Sequence, residues 1–193
     1  MGDKNFKRIV LGSGDLFLME FTGALPSIED ICIDTNFLGY IQGGATLEYK
    51  PTFYEAKDDT GKAIKIIITD EEAILKSGIM TFNGETLKTL CATGRVSDKD
   101  NKRTVKIGGI SNADNKRYVI CFHHIDKIDG DIWVVIVGQN QSGFTLAFAK
   151  DKETVIDAEF KALCQDDEGT LIQYIEEIKA DPVARTTSTT GSK

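Results

Sequence analysis

Asp131-Ile132-Trp133-Val134-Val135-Ile136-Val137-Gly138-Gln139-Asn140-Gln141-Ser142-Gly143-Phe144-Thr145-Leu146-Ala147-Phe148-Ala149-Lys150-Asp151-Lys152-Glu153-Thr154-Val155-Ile156-Asp157-Ala158-Glu159-Phe160-Lys161-Ala162-Leu163-Cys164-Gln165 is the stretch that decides the fold. Ile132 to Val137 is an unbroken apolar run, mostly β-branched, ended by Gly138. A short run of that kind reads as a strand covered on both faces. After the polar turn 139–143, Phe144, Leu146 and Phe148 fall on one face of a second strand, 144–149. Residues 150–153 make a charged turn. From Ile156 the chain alternates: Ile156, Ala158, Phe160, Ala162 and Cys164 point one way, and Asp157, Glu159, Lys161 and Gln165 the other. Period two is the spacing of a strand with one wet face. The stretch therefore predicts a three-stranded antiparallel meander.

Working outward, most other segments read as strands too. Residues 9–11 and 16–21 are a first strand broken by Gly12-Ser13-Gly14-Asp15. Residues 26–35 fit both a turn of helix capped at Ser27 and an extended piece. Residues 37–41 and 45–49 are short strands around Gln42-Gly43-Gly44, where paired glycines permit a tight turn or a bulge. Residues 51–62 are the most loop-like internal stretch and predict a projecting hairpin. Residues 63–80 are one long strand. Its apolar face changes from Ile64, Ile66 and Ile68 to Ala73, Leu75 and Ile79 across Asp70-Glu71-Glu72, so a bulge or bend is expected there. One flanking helix follows: Asn83 caps it, Leu87, Leu90 and Cys91 share a face, and Gly94 ends it. Residues 98–103 and 112–116 are polar turns, and 118–125 is a strand. Residues 170–178 fit a helix or a strand; the strand is preferred because a large sheet needs its edge paired. The domain boundaries are then a loose arm at 1–8, a β domain at 9–180, and a small polar tail at 181–193.

The bulk numbers narrow the function. A chain of 193 residues suits a single domain with its own core. A formal charge of −7 argues against a surface that grips nucleic acid, because phosphate binding needs clustered Lys and Arg. It is compatible with a surface that nucleic acid passes without sticking. Cys32, Cys91, Cys121 and Cys164 are far apart with no C-x-x-C, and read as free, buried thiols of a reducing compartment. The sequence shows no signal peptide, and no apolar run nears the ~20 residues of a membrane span.

Residues for chemistry are scarce. His123 and His124 are neighbours on a strand, so they face opposite sides and cannot chelate one ion together. Gly12-Ser13-Gly14 does not continue into a phosphate-binding glycine motif, since Phe17 occupies the last glycine position. There is no P-loop and no G-x-S-x-G. Asp70-Glu71-Glu72 can supply paired carboxylates for acid–base work or a divalent cation, or simply form a solvated bend. Trp133 reads as core. The sequence supports no catalytic, cofactor or metal assignment.

Several stretches in order resemble the major tail tube proteins of long-tailed bacteriophages and prophages. They are Leu11-Gly12-Ser13-Gly14-Asp15-Leu16-Phe17-Leu18-Met19-Glu20-Phe21, Leu38-Gly39-Tyr40-Ile41-Gln42-Gly43-Gly44-Ala45-Thr46-Leu47-Glu48-Tyr49-Lys50-Pro51, Tyr54-Glu55-Ala56-Lys57-Asp58-Asp59, and the blocks 68–91 and 144–163. The resemblance spans roughly residues 9–178. It implies a mainly β, antiparallel sandwich or barrel with one flanking helix, no enzyme activity and no cofactor. Its partners would be further copies of itself, as hexameric rings stacked into a tube, with tail tip and terminator proteins at the ends. DNA would pass through the lumen without specific binding, and the chain would not enter a membrane. It would be made in the bacterial host cytoplasm and end in the virion tail. Candidate lumen charges are Asp70, Glu71, Glu72, Asp157 and Glu159. The candidate inter-subunit loop carries Tyr54, Glu55, Lys57, Asp58, Asp59 and Lys62. Tubes of contractile phages and secretion machines share that resemblance. A monomeric β-barrel binding module and a metal-dependent hydrolase using the acidic triplet with His123 or His124 are the rival classes.

Overall fold

The apolar run at 132–137 opens β8 (Ile132–Asn140), and Val134, Val135, Ile136 and Val137 are buried on both of its faces. The structure, a computed structural model, describes residue 10 and residues 12–178. The expected arm and tail, and Ile9 and Leu11 of the first strand, lie outside the described residues. Before β8 come β1 (Asp15–Glu20), α1 (Ile28–Ile31), β2 (Phe37–Gly39), β3 (Ile41–Lys57), β4 (Ala63–Ile79), α2 (Gly84–Thr89), β5 (Arg95–Lys99), β6 (Lys102–Lys106) and β7 (Tyr118–His124). After it come β9 (Ile156–Leu163) and β10 (Ile172–Glu176). The chain is mainly β, with antiparallel pairing throughout.

The main sheet runs β2-β1-β7-β8-β9-β4-β3. Its two end strands, β2 and β3, are separated by Tyr40 alone. One bent strand therefore pairs with β1 at one end and with β4 at the other, and the sheet closes on itself as a barrel. Tyr40 at the bend donates its N–H to Thr81 Oγ1 at 2.8 Å and accepts from Met80 N at 2.8 Å. The interior is filled by alternate residues of β1, β4, β7, β8 and β9, namely Leu16, Ile120, Ile136, Leu75, Ile79, Ile156, Ala158 and Phe160, with half-buried Leu38, Ile41 and Ala45 packed against them from β2 and β3. Leu90, just past α2, plugs it, with Leu87 packed alongside. Asn83 fixes where α2 starts, its Oδ1 accepting from Glu85 N at 2.8 Å and Thr86 N at 3.1 Å. A second cluster, Phe17, Val119, Cys121, Val135 and Val137, lies on the outer face of β1, β7 and β8. The segment carrying α1 covers it through Leu25, Ile31 and Phe37. This explains why β7 and β8 are apolar on both faces.

β8 shares one edge between two partners. Ile132 to Ile136 pair with β10, and Val137 to Asn140 with β9. The expected strand at 170–178 is thus β10. Gly138 does not end β8. It lets β9 approach: a Cβ there would sit 2.1 Å from the Lys161 carbonyl oxygen.

Four further expectations need correction. Residues 144–149 are not a strand: β8 and β9 pair directly, Val137–Asn140 against Phe160–Leu163, so the chain between them runs outside the sheet instead of forming the middle strand of a meander. Asn140 stabilises the alternative: its amide donates to Leu90 O and Gly143 O while Oδ1 accepts from Glu159 N. Phe144 and Leu146 still pack on the barrel core, whereas Phe148 is 83% exposed. The meander is therefore a β8–β9 pair with a long connection. The alternation of the last strand holds only to Leu163, so Cys164 is exposed and Gln165 buried, the reverse of expectation. There Gln165 N turns to Thr170 O, and Asp166 Oδ1 closes the turn by accepting from Glu168 N and Thr170 N. Of the four thiols only Cys121 is fully buried. Among the described residues there are two α-helices, and the open segment 26–35 holds the additional one, α1, capped by Ser27, whose Oγ accepts from Asp30 N.

Residues 51–62 are not a loop. Pro51 and its neighbours up to Lys57 continue β3, and only the turn 58–62 is irregular. Proline is admissible because β3, beyond the barrel, pairs with β4 alone and needs no donor on its free side. The expected projection is real and longer than the loop: β3 and β4 each run 17 residues. Gly43 and Gly44, with φ of 79° and 74°, form a bulge near the base. The expected register change in β4 is a second bulge, where the register skips Thr69.

Candidate functional site

β9 leaves β4 at Ile74, so the hairpin beyond Ala73 has no third strand. From Thr52 to Glu71 nearly every residue is exposed. Strand alternation and the Thr69 bulge carry the barrel's inner face outward through Tyr49, Phe53, Ile66 and Ile68. Phe53 is 53% exposed and Ile68 52%. The opposite face carries Tyr54 paired with Ile67. Ile64, at the third register shift near the tip, is 72% exposed. Such a band exceeds the scattered surface apolars of ordinary monomers.

The expected inter-subunit residues all lie on this projection. Asp58 organises its tip by accepting from Thr60 N at 2.9 Å, Thr60 Oγ1 at 2.7 Å and Lys62 N at 2.8 Å. These bonds, the Thr60 hydroxyl first, hold its carboxyl below the usual aspartate range. Glu55 lies 3.4 Å from Lys57 Nζ. Asp59 is exposed at the turn. The polar residues thus frame the tip, and the exposed apolar residues Phe53, Ile64, Ile66, Ile67 and Ile68 beside them were missed. Ile64, Ile66 and Ile68 were legible as one strand face, but not as an exposed one.

The candidate lumen charges divide. Asp70, Glu72, Asp157 and Glu159 share the outer barrel face of β3, β4 and β9 by register, while Glu71 lies on the opposite face, where Tyr49 donates its hydroxyl to it. Glu48, Lys50, Lys76 and Lys161 join the first four on the outer face. Lys76 Nζ lies 3.1 Å from Glu48 and 3.6 Å from Glu159; Lys50 lies 2.6 Å from Glu48 and Lys161 2.7 Å from Glu72. The Lys50 hydrogen bond, then that of Lys76, pushes Glu48 below the usual glutamate range, and Lys161 does the same to Glu72. Lys50, Lys76 and Lys161 are each matched by a carboxylate, and Asp70 and Asp157 add negative charge to the face.

The histidines do separate. His123 Nε2 lies 2.8 Å from Asp131 Oδ2, with its ring stacked on Trp133 at 4.9 Å. His124 is buried and its Nδ1 donates to Ser13 O at 2.7 Å. Among the described residues no group of three or more His, Cys, Asp or Glu is placed to hold a metal ion. No helix among them is long and apolar enough to cross a membrane. No protein-family model matches this sequence, and no curated protein matches it.

Proposed function

We propose that this chain is a structural subunit that self-assembles into stacked hexameric rings, forming the tube of a phage-type tail through which DNA passes. The observation that carries the reading is the unsupported β3–β4 hairpin with apolar side chains on both faces. Left in water, its unpaired edge and exposed isoleucines invite aggregation. Covered by a neighbouring copy, they become an interface. The charged outer face of β3, β4 and β9 supports the second half of the reading. A wall of clustered free cations would hold DNA phosphates by releasing their counterions. Here Lys50, Lys76 and Lys161 are each neutralised by a carboxylate, and the surplus is negative. Screening limits its reach to ~8 Å at physiological salt, so it acts on DNA confined in a narrow channel.

The test is an I66K/I68K double variant. It is expected to stay folded by circular dichroism, because neither side chain contributes to the barrel core, and to remain monomeric where the parent assembles. Undiminished assembly of the variant would remove the hairpin from the interface.

A further inference from the structure

Cys32 caps the C-terminus of α1, in the segment laid over the outer cluster, and Cys121 sits in the middle of β7 beneath it. Their Sγ atoms are 3.8 Å apart although 89 positions separate them in sequence. We infer that Cys32 and Cys121 form a dithiol site that a low-molecular-weight disulfide oxidises to a protein disulfide, with Cys32 attacking and Cys121 resolving.

Distance, access and acidity divide the roles in the same way. A disulfide needs its sulfurs at about 2.05 Å. The remaining gap is under ~2 Å, closed by side-chain rotation with a small shift of the four-residue helix that Cys32 terminates. Cys32 is half-buried and reachable, whereas Cys121 is fully buried beside Val119 and Val135. With Cys121 as donor, its thiol hydrogen bond to Cys32 holds the Cys32 pKa below the ordinary thiol range and pushes that of Cys121 up, burial adding to the latter. The thiolate is the nucleophile in exchange, so the accessible, more acidic sulfur reacts first. Cys91 has no such partner, and burial pushes its thiol up.

The steps balance. Cys32 releases its proton, and its thiolate attacks one sulfur of the small disulfide RSSR. That S–S bond breaks, and RS⁻ leaves and takes up a proton. The mixed disulfide at Cys32 no longer carries the charge that opposed ionisation of Cys121. Cys121 then loses its proton, its thiolate attacks the Cys32 sulfur, and the second RS⁻ leaves and is protonated. Two protein thiols are oxidised by two electrons, and RSSR is reduced to two RSH. The bond closes a very long loop and ties the cover of the outer cluster to the barrel wall, constraining the unfolded chain strongly. A chain made among reducing thiols is open; the same chain in an oxidising medium is stapled.

The experiment incubates the folded, full-length chain with oxidised glutathione, alkylates the remaining thiols under denaturing, non-reducing conditions, and maps the peptides. The expected product lacks two hydrogens, links Cys32 to Cys121, and leaves Cys91 and Cys164 alkylated. Its Tm is higher than that of the reduced chain by about 5–15 °C, and dithiothreitol reverses the shift. C121S is expected to retain one glutathione on Cys32, and C32S to leave Cys121 unmodified. If Cys32 and Cys121 are both alkylated after treatment, with glutathione only on exposed Cys164, the site does not exist. A linkage between any other pair also overturns it. The wild-type map decides even if a variant fails to fold.

Discussion

Asn83 shows how much one residue can carry and how plainly some residues can be read. Its side chain accepts from two backbone N–H groups, and Thr86 Oγ1 returns the favour by accepting from Asn83 N at 3.3 Å. Asn83→Ala leaves those donors at the N-terminus of α2 without their acceptor. The expected cost is about 1 kcal/mol, read as a lower denaturant midpoint at unchanged slope. An unchanged midpoint would mean that α2 is held by Leu87 and Leu90 alone. The carboxylates of the outer face make a pH prediction. Glu72 titrates below the ordinary value of 4.5 because Lys161 donates to it. A depressed folded pKa contributes stability above the unfolded pKa, and that contribution is lost as pH falls through the folded value. Glu72→Gln should therefore flatten the loss of Tm between about pH 5 and pH 3, modestly, since the pair is exposed. Equal slopes in the two proteins would show that the pair is not formed. Caps of this kind are local in sequence and so legible. The Glu72–Lys161 pair was not legible, because it depends on the register of β4 against β9.

At the scale of elements, β8, β9, β4 and β10 were readable from apolar runs, alternation and the register change near Thr69. Residues 144–149 and 51–57 were misread for one common reason. Strand formation is settled by which edges are free, and neither composition nor period states that. Phe144, Leu146 and Phe148 have a strand's spacing, but β8 and β9 pair directly with each other and leave no place between them for a middle strand. Lys57 and Glu55 look like loop yet pair across a hairpin with Ala63 and Ile66. The hairpin carries a prediction of its own. Amides of 51–62 exchange quickly in the free subunit, since only one partner strand holds them, and gain protection on assembly. Hydrogen exchange by mass spectrometry compares the two states, and equal protection would detach this element from assembly. Replacing 51–69 by a short turn should preserve the barrel's circular dichroism and abolish polymerisation. Loss of fold on that replacement would make the hairpin part of the core architecture instead.

At the scale of the molecule, a sandwich or barrel was expected only from the resemblance; residue patterns did not give the closure, which depends on Tyr40 joining β2, paired with β1, to β3, paired with β4. No local pattern reports such distant pairings. The outcome is a closed barrel from which the long β3–β4 hairpin extends with exposed apolar faces and an open edge. That exposure is what a second copy would resolve, and it makes self-assembly the central claim. Electron microscopy of the purified full-length chain at high concentration, imaged across a range of salt, tests it most directly. The account predicts hexameric rings stacked into hollow tubes, with the hairpin seated on a neighbouring copy and the channel surface net negative. A chain that stays monomeric under every condition, or a tube with a net positive channel, would contradict it.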